Sequence, residues 1–507
     1  MSTDTDSLAF GEARRPLDHE IVIIGAGFAG MGAAIELKRR GFDDFVILER
    51  RSDVGGTWRD NTYPGVAVDI PSFTYSYHFE PNPGWSRAFA PGAELMDYAL
   101  RVADKYRLRD HLRCDCDVLS ADYDDVDGVW TLILASGEQI VCRFLISCHG
   151  VLVTPREPNI RGLADFRGKV LRSTAWDHDY DLTGKRVAVI GTGATALQIV
   201  PAIAPATAHL DVYQRTAIWV VPKVDPTIPR AVQWGFRRLP LTQRAVRTAT
   251  TALSDGIVVL GAVYHRQLPL LTKAIETICR AQLFVQVRDK QTRAALTPRY
   301  GFGCKRPSFS NSYFRAFNRD DVELVTDPIE RITADAITTA SGVTRKVDAI
   351  VLATGFKVFD IPYTVRGVDG ADLAKLWETD RKQAYQGATV PQFPNLFLIP
   401  GPYGVSGASW FGTIDLGVTH VVTVLEETRK RGATRVAPTP EAHSRFLHKM
   451  LRQVEHGVFK SDGCAGSNSY YVDEHGDAPF LRPSLGLFTW FSVSRFDRDD
   501  YSFTNDR

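Results

Sequence analysis

The run "EIVIIGAGFAG", residues 20 to 30, passes from unbroken apolar positions into a glycine turn; helical spacing follows, and a second apolar run, "FVIL", leads to Glu49. A short apolar run bounded by a turn predicts a strand buried on both faces, and the change of period marks a strand, turn, helix, strand unit. The same order returns at 185 to 215, from "KRVAVIG" to "HLDVYQR". Two copies of this unit predict an α/β chain with two Rossmann-like dinucleotide-binding domains.

Alternation in "VWTLILAS" and "EQIVCRFLISC" predicts further strands between 114 and 150 that complete the first domain. "GVLVTPREPNIRGL" breaks both periods with proline and glycine and reads as the crossing between domains. From 226 to 296 helical spacing with many arginines predicts a helical insertion. Its charges are spread rather than clustered, which favours solvated helical faces over a membrane-docking surface. "KVDAIVLATGF" and "PNLFLIPGP", beyond 345, predict buried strands that return the chain to the first domain, and the aromatic tail from 460 has no regular pattern.

The glycine turns bring in the first chemistry. Gly25, Gly27 and Gly30 form G-x-G-x-x-G where a strand meets a helix, the arrangement that lets a pyrophosphate approach free backbone N–H groups. Glu49 lies 19 residues beyond Gly30, the spacing of a carboxylate that accepts hydrogen bonds from ribose hydroxyls. The second copy has Gly191, Gly193 and Ala196, and 19 residues beyond Ala196 stands Arg215 instead of an acid. A guanidinium there attracts a 2′-phosphate that a carboxylate would repel. The first site is therefore expected to take FAD or NAD and the second NADP, with Thr192, Thr195, Gln198 and Thr216 completing the second set. Electrons would run from NADPH to a bound flavin. A disulfide reductase would need a cysteine pair after Glu49; none is present, so an oxygen-using enzyme is the better class.

The expected division is an FAD-binding domain in two parts, 1–150 and 346–507 with the tail, and an NADP-binding domain in two parts, 151–225 and 297–345, with the helical insertion 226–296 between the latter. With 507 residues and 44% apolar content the chain can bury two or three cores. Sixty basic against fifty-nine acidic residues give a net charge of +1, so nothing electrostatic calls for nucleic acid or an anionic membrane as the main partner. Small molecules remain. Seven cysteines at 114, 116, 142, 148, 279, 304 and 464, without a C-x-x-C pair, fit reduced thiols in a cytoplasmic protein better than a disulfide frame or a metal site. "MSTDTDSLAF" lacks the form of a signal peptide, and the longest apolar run, "GIVVLGAVY", falls short of the roughly 20 residues that cross a bilayer.

"GGTWRDNTYPGVAVD", residues 55 to 69, resembles the flavin-dependent Baeyer–Villiger monooxygenases, whose pattern here is matched by Gly55, Gly56, Trp58, Tyr63, Pro64, Gly65 and Asp69. "ATGF" at 353 to 356 and "GCKRPSFSNSYFRAFNRDDVELV" extend the resemblance over nearly all of residues 20 to 410. It implies that Arg306 is the catalytic arginine, that Asp69 positions it, and that Lys305 joins Arg215 at the 2′-phosphate. It also implies that Gly56, Thr57, Trp58, Asp60, Asp69, Ile70 and Tyr75 line FAD. The implied reaction takes NADPH, O₂ and a ketone to an ester or lactone through a C4a-peroxyflavin that a fixed cation keeps anionic. "FRGKVLRSTAWD" departs from the family signature by placing Arg172 where a histidine is usual, while keeping Phe166, Gly168, Trp176 and Asp177. That departure leaves open the oxygenation of nitrogen or sulfur, or a non-oxygenating NADPH oxidase or redox partner.

Overall fold

The strand His19–Ile24 is buried along its apolar positions because it sits in the middle of a parallel sheet, with Phe45–Leu48 on one side and Gln139–Ser147 on the other. The alternating segments continue that sheet as an antiparallel meander: Gln139–Ser147 pairs with Val129–Leu134, and that strand with Val118–Asp124. Chain from beyond residue 360 completes it, Thr364–Arg366 at one edge and Leu396–Leu398 beside Gln139–Ser147. The helices Phe28–Arg39 and Trp410–Lys430 bury their apolar faces in the same core as Ile21, Ile23 and Ile47. This computed structural model describes residues 15–263, 268–464 and 466–505; the leader "MSTDTDSLAF" lies outside them.

A second sheet of five parallel strands is built on Arg186–Ile190, flanked by His209–Tyr213 and Ala349–Leu352, with Val322–Val325 and Lys169–Arg172 at its edges. Here the sequence expectation needs correction: Ala349–Leu352 does not return to the first sheet but lies inside the second. An apolar run such as "AIVL" marks a strand buried on both faces, and nothing in it says which sheet accepts it. The return to the first sheet comes later, at Thr364–Arg366.

Residues 226–296 carry the helices Arg230–Arg238, Pro240–Ala262, Pro269–Gln286 and Lys290–Ala295. The parallel bridge of Val220–Val221 with Ser308–Phe309 closes the base of this excursion. The tail has more order than its sequence predicts: a helix at Gly486–Ser494, then a strand Tyr501–Thr504 antiparallel to Arg435–Pro438. A second correction concerns the cysteines. Cys304 and Cys464 form a disulfide between positions 160 residues apart, a pairing no local spacing announces, while the other five are free. No helix among the described residues is long and apolar enough to cross a membrane.

Candidate active site

Both glycine turns open onto one cavity of about 1590 Å³ between the two sheets, larger than the ~300–1,000 Å³ usual for a single ligand. On its first wall, Gly25 takes φ +99° and donates its N–H to Leu48 O at 2.8 Å, so the turn folds back over the adjacent strand. A Cβ on Gly30 would lie 1.8 Å from the Gly25 carbonyl oxygen, which fixes glycine there for helix-on-strand packing. Glu49 is buried, its Oε2 accepting from Ala26 N at 2.7 Å and its Oε1 from Arg51 N at 2.9 Å. These two bonds aim the carboxylate at the cavity and leave lone pairs for a ligand's hydroxyls.

Next along this wall come Gly56, Thr57, Trp58, Asp60, Asp69, Ile70 and Tyr75, all lining the cavity. The Trp58 indole donates to the Tyr75 hydroxyl at 3.2 Å, with the rings edge to face. Asp60 is engaged by Arg51 at 2.8 Å and Arg50 at 3.3 Å.

The second wall holds Gly191, Thr192, Gly193, Thr195, Gln198, Arg215 and Thr216. Gly191, at φ +117°, comes so near the strand Ala349–Leu352 that a Cβ would lie 2.3 Å from Ala353 O. Ala196 and Gly30 do not line the cavity; each packs behind its loop, in the third position of its fingerprint. Gln198 lines the cavity but spends its carboxamide on the facing domain, accepting from Tyr63 Oη at 2.9 Å and donating to Ala67 O at 2.9 Å.

Between the walls, Arg306 grips Asp69 in a forked pair, Nη2 to Oδ1 at 2.9 Å and to Oδ2 at 2.8 Å, with Nε to Oδ2 at 3.1 Å. The carboxylate beside it holds the guanidinium's pKa well above its ordinary value, more than burial lowers it. Lys305, the neighbouring residue, points the other way chemically. Burial and the nearby charge of Arg215 push its pKa down, and neither cation has an ion-pair partner among the described residues. Two cations facing each other without a carboxylate are costly unless an anion joins them.

Sequence reasoning missed the cover of this site. Tyr470 and Tyr471 come up against Arg306, burial and each other's proximity raising the Tyr470 pKa, and Asn468 Nδ2 donates to Thr216 Oγ1 at 3.0 Å. The disulfide places this tail segment one residue from Lys305. Only Cys304 and Cys464 themselves could have signalled the link, and they had no spacing to mark them. Arg172 lies outside the cavity lining, pinned by Glu157 through two bonds of 3.0 Å. His209, Asp211 and Glu323 cluster at a distance, with Arg345 paired to both acids.

Over 492 residues, 96% of this chain and 91% of the relative, the sequence is 38% identical to a Baeyer–Villiger monooxygenase of Pseudomonas aeruginosa. A Baeyer–Villiger monooxygenase of Streptomyces coelicolor is 38% identical over 491 residues, covering 95% and 92%. The chain belongs to the Baeyer–Villiger monooxygenase family. Residues 22–233 also match a family model described as pyridine nucleotide-disulphide oxidoreductase. Among solved structures, oxidized steroid monooxygenase bound to NADP superposes with a TM-score of 0.84 at 27% identity, over 96% of this chain and 99% of the other. OTEMO in complex with FAD and NADP gives 0.85 at 26% identity, over 97% and 100%. As in the solved structures compared, the fold runs through nearly the whole chain; here the Asp69–Arg306 pair lies between the two glycine-turn walls of the cavity.

Proposed function

We propose that the protein is an FAD-containing, NADPH-dependent monooxygenase that converts a ketone into an ester or lactone. The balance is ketone, O₂, NADPH and a proton to ester, NADP⁺ and water. The observation that carries this reading is the Asp69–Arg306 pair standing between the two glycine-turn walls of one cavity. Bound FAD supplies the two-electron reduction of O₂ and the transfer of one oxygen atom.

The chain's own residues bind, orient and shield. On the first wall the turn of Gly25 and Gly27 would take the pyrophosphate of FAD and Glu49 its ribose, with Gly56, Thr57, Trp58, Asp60, Ile70 and Tyr75 around the rest. The second turn would hold the pyrophosphate of NADPH, and Arg215 with Lys305 its 2′-phosphate, the anion that relieves their mutual repulsion. Arg306 keeps its charge throughout, because Asp69 holds the proton on it. A fixed cation of this kind stabilises oxyanion character developing at the reacting oxygen and carbonyl, and such a preorganised donor is worth about 3 kcal/mol in the transition state. Tyr470 and Tyr471 would exclude water above Arg306.

Dependence on NADPH supports a cytoplasmic placement. The reaction is tested by incubating the purified protein with NADPH and a panel of ketones and sulfides under ¹⁸O₂. Labelled ester is the expected product. Labelled sulfoxide with no ester from any ketone overturns the assignment, as does hydrogen peroxide released in equal amount to the NADPH consumed with every substrate.

A further inference from the structure

Ile257 and Ile278 line the cavity, yet they are 43% and 54% exposed, so they stand on its rim. Elsewhere on the insertion the helical faces are solvated, as the sequence predicts, but they also carry large apolar side chains. Trp234 is 61% exposed and Leu241 75%. In the tail helix Gly486–Ser494, which carries no charged residue, Phe488 is 63% exposed and Trp490 43%. The tail helix begins against the helix that carries Leu241: a Cβ on Gly486 would lie 3.1 Å from Oδ2 of Asp255, on Pro240–Ala262. Large apolar side chains gathered on an exposed surface mark a contact face.

Charge selects the partner. From 226 to 257 there are five arginines and one acid, in a chain whose net charge is +1. Arg230, Arg237, Arg238 and Arg244 are exposed, and none of them has a carboxylate partner among the described residues. The acid, Asp255, is turned inward and accepts the N–H of Ala408 at 2.8 Å. A two-fold contact through this face would bring the arginines toward one another, and the one acid of 226–257 is turned inward. Anionic headgroups would satisfy them.

We propose that this face docks on a membrane surface containing anionic lipid. Trp234, Leu241, Phe488 and Trp490 enter the boundary between headgroups and acyl chains, and the arginines pair with lipid phosphates. No described helix crosses the bilayer; the chain rests on it. Near-neutrality of the whole chain conceals this local excess of charge.

The test uses the full-length flavin-loaded protein and two kinds of vesicle, phosphatidylcholine alone and an equal mixture with phosphatidylglycerol. Co-sedimentation is expected with the mixture at low salt, to fall steeply as salt is raised, and to be far weaker with phosphatidylcholine alone. R237A/R238A is expected to bind the mixed vesicles about 30-fold more weakly, with flavin content and melting temperature unchanged. Brominated lipid in the mixed vesicles should quench tryptophan fluorescence in the wild-type chain, and less in W234S/W490S. Equal binding to both vesicles, or none to either, overturns the proposal. So does a dimer in sedimentation velocity that W234S/W490S converts to monomer while vesicles bind neither form.

Discussion

Replacing Arg215 by alanine, and separately Lys305 by methionine, tests the phosphate site through the choice of coenzyme. A charge-assisted hydrogen bond is worth roughly 1.5–3 kcal/mol, or about 10- to 150-fold in affinity. Arg215 is exposed and belongs at the lower end of that range, while Lys305 is largely withdrawn from water and belongs higher. Arg215→Ala is therefore expected to weaken NADP⁺ about tenfold, and Lys305→Met several times more than that. NAD⁺, which lacks the phosphate, should change by less than about threefold in either variant. The assay is titration of the flavin-loaded protein with each coenzyme, followed by calorimetry, together with KM for NADPH and NADH. A pH series adds a second reading. Burial and Arg215 lower the Lys305 pKa, so its charge is lost at a lower pH than that of a free lysine, and NADP⁺ affinity should fall as pH rises through that region. Removing Arg215 takes away one of the two causes, and the falling limb should move to higher pH. Equal loss of both coenzymes in either variant, or a falling limb that stays in place in Arg215→Ala, would refute the assignment.

Three further outcomes are expected. Asp69→Asn should lower ester formation about 100-fold while flavin content and NADPH oxidation persist, with hydrogen peroxide released in place of ester; unchanged ester yield per NADPH would remove Asp69 from the positioning role. Gly30→Ala puts a methyl group 1.8 Å from Gly25 O, so the protein should purify without yellow flavin colour, and a full complement of FAD would contradict the close approach. His420 is fully buried, its Nδ1–H donating to Val493 O at 3.0 Å and its Nε2 accepting from Tyr501 Oη at 2.7 Å. Burial lowers its pKa to about 4 from an ordinary 6.5. The unfolded chain therefore binds the extra proton first, and stability that is full above pH 6.5 should decline as pH falls toward 4, by on the order of 3 kcal/mol from this residue. Urea unfolding of the wild type and His420→Gln at a series of pH values would show a flatter profile in the variant, and parallel profiles would disprove the contribution.

What the sequence made legible was local. Each glycine fingerprint, the strand before it and the residue 19 positions on lie within one supersecondary unit, so spacing alone could oppose Glu49 to Arg215. The meander of 114 to 150 was readable for the same reason, since alternation reports one exposed and one buried face. Partnership between distant segments was not readable. Ala349–Leu352 carries the signature of a buried strand without an address, and it joined the second sheet instead of the first. Cys304 and Cys464 look like isolated thiols until the fold brings their Cα atoms to 5.2 Å. Gln198 shows a subtler limit: its place in the helix after the second turn was foreseeable, but its use as a tether to Tyr63 and Ala67 depends on a surface from the other domain. The insertion helices read as solvated and are, but composition does not say that Trp234 and Leu241 among the arginines also face outward.

The bond between Cys304 and Cys464 makes a covalent ring of the chain between them. That ring threads through both sheets, taking in Val322–Val325 and Ala349–Leu352 of one and Leu396–Leu398 of the other. At Cys464 the tail cannot part from the backbone beside Lys305 and Arg306, because the disulfide hitches the two together. Admission and release of the nicotinamide coenzyme must then keep the root of the cover beside the cationic loop, and a protease that nicks the exposed insertion would leave that link intact.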